Sequence, residues 1–181
     1  TDNKLTELGK KISKIPASYS VAVLIVNLNE KFKKKEIDEK TFIAGVLFYS
    51  IVQGGNIGQL WWIDRKVKQD DQENPNAGIL DNYLQDHFDQ YSGFDDIETL
   101  VNLIVSISNN SFEVHCDIKE KEKRDKWNFR KRCMMAKINS SILIKAFAVF
   151  RQIITRLTNY NFKNEYQVFD FIGEKLPNAL G

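Results

Sequence analysis

Arginine and lysine neutralise phosphates, and an exposed tryptophan or phenylalanine set between them gives bases a surface to stack on. Residues 119–132 hold both kinds of side chain in one run. Within it Lys123, Arg124, Lys126, Trp127, Arg130, Lys131 and Arg132 are the candidates for a face that binds nucleic acid or an acidic partner. Plotted at helical spacing the bases go all round the helix, and Trp127 aligns with Met134 and Ile138 in a stripe that reads as buried. The competing reading is a solvated helix, or one that pairs with the acidic residues of 64–98.

A second pattern is the triplet Asp117-Ile118-Lys119. Metal-dependent nucleases with a PD-(D/E)xK core carry such a triplet on a strand, with a further acid, here Asp95 or Asp96, sharing a divalent cation. Two carboxylates hold the metal and the lysine helps to orient a water. The pattern has little specificity, because D-x-K also begins at Asp2, Asp38 and Asp64 and no proline precedes Asp117. His115 and Cys116 point to opposite faces if they lie on a strand, so they form no nucleophile and base pair. His87 sits among apolar helix positions and has no second ligand at zinc spacing, so neither a metal nor a cofactor is assigned. No Ser-His-Asp arrangement stands out with two histidines in the chain.

Two further clusters read as structural first. Gly54-Gly55-Asn56-Ile57-Gly58 lacks the Lys-Ser/Thr of a phosphate loop and reads as a helix terminator and turn. Trp61 and Trp62 are neighbours and lie about 100° apart on a helix, so Trp62 is the candidate for an exposed protein-interface residue.

The elements that must position these groups follow from spacing. Leu5, Leu8, Ile12 and Ile15 predict a short helix that Pro16 ends. A second helix spans 18–35, apolar at first and then rich in lysine, which suits the negative end of its dipole. Asp38 is a good N-cap, with Ile37 and Phe42 as a hydrophobic staple, and the helix it opens runs to Gly54. Further helices are expected from Leu60 to Val67 and from Ile79 to Tyr91. Val101, Leu103, Val105 and Ile107, then Phe112, Val114, Cys116 and Ile118, alternate with mostly polar residues around Asn109-Asn110, which predicts an antiparallel β-hairpin over 101–118. The competing reading caps a helix at Asp95, with Glu98 at N3, and continues it through Ile107. Residues 140–158 form the most apolar helix, with Ser141, Lys145, Gln152 and Arg156 as one polar stripe, and Tyr166, Phe169, Ile172 and Leu176 outline the last helix, closed by Gly173 or Pro177.

The expected architecture is therefore α+β: a mostly helical single domain, 1–181, with one hairpin packed on the long helix 140–158. The alternative is all-α. At 181 residues, with 43% hydrophobic and 28% charged, the chain has the length and composition of one folded domain. Cys116 and Cys133 make no disulfide framework, which with the lack of an apolar leader points to the cytoplasm. The apolar segments 41–52 and 141–157 are too short or too charged to span a bilayer, so no membrane is expected as a partner.

Charge is sorted along the chain. Residues 64–98 carry 10 acids against 3 bases, and residues 117–163 carry 13 bases against 4 acids, beneath a total of only +2. Separated charge steers association. The sequence thus predicts a non-enzymatic macromolecule-binding protein, a regulator, inhibitor or assembly subunit whose partner is a protein or a nucleic acid, with self-association compatible. The alternatives are a nucleic-acid binder using 119–132 and a metal-dependent nuclease.

Overall fold

The structure, a computed structural model, describes residues 5–54, 60, 96–109, 118–136 and 138–176. Among them it contains seven helices: α1 (Glu7–Ser13), α2 (Tyr19–Lys33), α3 (Glu39–Gly54), α4 (Asp96–Asn109), α5 (Lys121–Met135), α6 (Ser140–Leu157) and α7 (Glu165–Lys175).

Local chemistry sets most of their ends. Thr6 Oγ1 accepts a hydrogen bond from the Gly9 N–H at 3.0 Å and starts α1, which stops short of Pro16. Asp38 caps α3 as expected: its Oδ1 accepts from the Thr41 N–H at 2.7 Å. That bond holds the Asp38 carboxyl below its ordinary range. Asn139 caps α6, and Asn164 caps α7 by accepting from the Gln167 N–H at 3.2 Å while Gln167 Oε1 accepts from the Lys163 N–H at 2.7 Å. Arg151, on α6, secures the same corner by donating to the Lys163 carbonyl at 3.0 Å and pairing with Glu165 at 3.2 Å. The last helix continues through Gly173 and ends at Lys175.

The core is built on α6. Its stripe of Ser141, Lys145, Gln152 and Arg156 is exposed, and Leu143, Ala146, Phe147, Phe150, Ile153 and Ile154 are fully buried. The most extensive helix pair is α3 with α6. Gly54 explains how close they come, because a Cβ added there would lie 2.8 Å from the Ala146 Cα and N atoms. The glycine read as a terminator is thus also a point where two backbones touch. Two aromatic groups complete the core, Phe129 with Phe147, Tyr166 and Phe169, and Phe171 with Phe150, Tyr160 and Phe162.

The expected hairpin is overturned. Residues 101–109 lie in α4, no strand occurs among the described residues, and the fold there is all-α. The helix is seated chiefly on α7 and α3. The reason lies in its burial: Val101, Leu103, Ile104, Val105 and Ile107 are buried, and so are the polar Thr99, Asn102 and Ser108. The apolar residues fit both periods: Val101, Leu103, Val105 and Ile107 alternate as in a strand, while Ile97, Leu100, Val101, Ile104 and Val105 recur at helical spacing, and the helix is what forms. Residues 110–117, the turn and most of the second strand of that expectation, lie outside the described residues, as do the helices expected over 61–67 and 79–91.

Candidate functional site

Helix α5 follows from a sequence of good helix formers with Glu122 in its first turn and Arg132 in its last, the arrangement that suits the helix dipole. It has few apolar residues with which to dock. Among its described side chains only Phe129 and Cys133 are buried. Phe129 meets the Phe169 ring edge-on at 5.3 Å and the Phe147 ring at 6.0 Å. Burial pushes the Cys133 thiol up to about 12, so it acts as a small apolar side chain and not as a nucleophile.

This one docking line fixes what faces outward. At 100° per residue, Lys123, Arg124, Lys126, Arg130 and Lys131 spread over one broad side of the helix; all but Lys126 lie about 80° or more from the line through Phe129 and Cys133, and Lys126 borders Cys133. The first four are exposed and Lys131 is half-buried. Trp127 lies among them, also half-buried, with the Lys131 ammonium 5.6 Å from its ring centroid. Met134 completes the face at 47% exposure, which corrects the expectation of a buried Trp127, Met134 and Ile138 stripe; of the three only Ile138 is buried. The acids of α5, Glu122 and Asp125, lie toward the Phe129 side, with Glu122 exposed one turn before Lys126, and Lys121 is a further exposed base on the other flank. Lys123 is also engaged, by Glu120 at 2.9 Å. Lys123 with Lys126, and Lys126 with Arg130, are like charges one turn apart, each pair costing about 0.2–0.5 kcal/mol.

Arg132 does not share this surface. It turns inward, donates to the Ser108 carbonyl at the end of α4 at 3.4 Å, and lies 5.4 Å from the Phe169 ring centroid. Among the described residues its buried Nε has no acceptor, and Ser108 Oγ and Asn128 Oδ1 are likewise unpaired. Arg132 is therefore a bracket between α4, α5 and α7. Asp170 of α7 feels the same corner: loss of water, then the nearby Asp125, raises its carboxyl above the ordinary range, against Arg132 and Lys121.

Trp62, Asp95, Asp117, His87, His115 and Cys116 lie outside the described residues, as do 64–95 of the acidic region. The metal site imagined around Asp117 needed a first strand from residue 101, and α4 stands there instead. Among the described residues no group of three or more His, Cys, Asp or Glu side chains is placed to hold a metal, and no helix is long and apolar enough to cross a membrane. No protein-family model matches the chain, and neither a curated protein nor a solved structure is significantly similar to it. What supports a function is the surface of α5 itself.

Proposed function

We propose that the chain is a non-catalytic binding protein that engages a polyanionic macromolecule, a nucleic acid, through the outward face of α5. The observation that carries this reading is the make-up of one helix: five cationic side chains, four of them exposed, beside a tryptophan, with Glu122 the one exposed acid of the helix and the structural arginine turned inward. From Lys123 to Lys131 the row runs about 12 Å along the helix, long enough to follow three or four phosphates of one duplex strand. Trp127 adds a ring on which an unpaired base can stack, worth about 1–3 kcal/mol. The exposed Met134 on the same face favours an acidic protein as the second reading, since methionine adapts to varied apolar surfaces.

Fluorescence anisotropy of labelled single- and double-stranded DNA and RNA, at several salt concentrations, tests the proposal. Three or four phosphate contacts give a log-log salt slope of about −2.7 to −3.6 on duplex and about −2.1 to −2.8 on single strands. Replacing Lys126, Arg130 and Lys131 with Glu abolishes binding, and Trp127→Ala weakens single-strand binding by roughly five- to a hundredfold. No anisotropy change with any of the four nucleic acids at low salt removes the nucleic-acid reading and leaves the acidic protein.

A further inference from the structure

A separate cleft of about 630 Å³ lies where α1, the second half of α2 and the end of α6 meet. This is the size range of small-molecule sites, and no residue of α5 lines it. Ile15, Val26 and Leu157 supply an apolar wall, while Lys11, Lys14, Lys33 and Arg156 face the single carboxylate of Glu30, an excess of three positive charges. Two of the four cations are already engaged: Lys11 pairs with Glu30 at 2.9 Å, and Arg156 donates to the Lys14 carbonyl at 3.0 Å. Among the described residues Lys14 and Lys33 have no ion-pair partner.

Bases near helix C-termini ordinarily serve the helix dipole, and three such ends converge here. Each is equivalent to about half a negative charge, roughly 1.5 in all, and α1 is too short for its full share. The cations therefore exceed what the dipoles need. Nor does dipole compensation account for Asn29. It is 6% exposed, lines the cleft, and its amide has no hydrogen-bond partner among the described residues. That amide is not among the buried polar atoms left unpaired, so it opens to solvent in the cleft, where a ligand can take the place of water.

We propose that this cleft binds a small organic phosphate. Lys14, Lys33 and Arg156 hold the phosphate, the apolar body lies on Ile15, Val26 and Leu157, and the Asn29 amide hydrogen bonds to a polar edge of the ligand. A phosphate monoester is the anion of choice because its charge approaches two at neutral pH, which balances the surplus better than a carboxylate does.

Isothermal titration at low ionic strength with 2-naphthyl phosphate, against 2-naphthol and inorganic phosphate, is the test. The ester is expected to bind at least roughly tenfold more tightly than either fragment, and Lys33→Gln and Asn29→Ala each to weaken it roughly tenfold. Lys33 is exposed, so its variant keeps the test open even if Asn29→Ala does not fold. Glu30→Gln is expected to tighten binding several-fold, because it removes the opposing charge and frees Lys11. Charges that only support the helices would not give this gain. No heat with the ester at millimolar concentration on folded protein overturns the proposal, as does equal affinity in the wild type, Lys33→Gln and Glu30→Gln proteins. Co-sedimentation with phosphatidic acid vesicles, absent with phosphatidylcholine and lost in Lys33→Gln, assigns the phosphate to a lipid headgroup; ester binding without co-sedimentation assigns it to a soluble metabolite.

Discussion

Helices α5 and α6 follow one another in the chain and have 15 and 18 residues, but different forces hold them. Six side chains of α6 are fully buried, and its backbone touches α3 at Gly54. α5 is anchored by Phe129, Cys133 and an inward arginine, and the rest of its described surface is open or half-open. One helix therefore ties sequence to fold, and the other leaves most of its outer residues little constrained by packing. A cluster of like charges is affordable on α5 because the stability of the molecule resides elsewhere.

The sharpest way to break the comparison is to remove a ring from the α6 side. Phe147→Ala is expected to cost about 3–5 kcal/mol, read as a lower midpoint in urea unfolding, because the residue is fully buried and Phe129 and Phe169 lean on it. A loss under about 1 kcal/mol would show that α6 is not the central element. Next comes the seat of α6. Gly54→Ala places a methyl 2.8 Å from the Ala146 backbone and should cost about 1–3 kcal/mol. Gly45→Ala should cost less, since the atom it meets, at 2.7 Å, is the flexible end of Leu28 and the new methyl favours the helix. Equal effects at the two glycines would refute the backbone approach.

Within α5 the comparison sharpens to neighbouring residues. Arg132→Ala should lower stability by about 1–3 kcal/mol, whereas Lys126→Glu, Arg130→Glu and Lys131→Glu together should stay within about 1 kcal/mol of wild type. A triple variant as unstable as Arg132→Ala would mean that the outer face is also structural. The smallest effect concerns pH. The raised Asp170 carboxyl holds its proton more tightly in the folded protein than in the unfolded chain, so the stability it contributes is present at low pH and is lost as pH rises through the folded value. Asp170→Asn should raise the urea midpoint at pH 7, and the gain should shrink as pH falls towards the ordinary carboxylate range. An advantage that does not change with pH would rule out titration as its source.

The helices that could be read in advance are those with one wet side and marked ends. Thr41 bonding to Asp38, Pro16 after α1 and the four-residue stripe of α6 are local signals, and the structure repeats them. α4 was legible only as the competing reading, because its apolar residues fit a two-residue and a 3.6-residue period at once, and burial of the polar Thr99, Asn102 and Ser108 beside them left no plain polar stripe to decide between the two. On α5 the residue types marked a basic segment but not which of its side chains turns inward. Arg132 carries the charge of a surface residue, and only Ser108 and Phe169, distant in sequence, show why it turns inward. The cleft at Asn29 was invisible for the same reason, since Lys14, Lys33 and Arg156 come from three separate helix ends.

Cys133 gives the shallow docking of α5 a clock. A thiol with its proton held up to about 12 and no solvent access is inert to alkylating reagents while the helix is seated. Iodoacetamide therefore labels it at the frequency with which α5 lifts away from Phe147 and Phe169, provided Cys116 is first changed to serine. A partner that clamps the outer face would slow that labelling without touching the sulfur, so the rate of one covalent reaction on the hidden side reports occupancy of the open one.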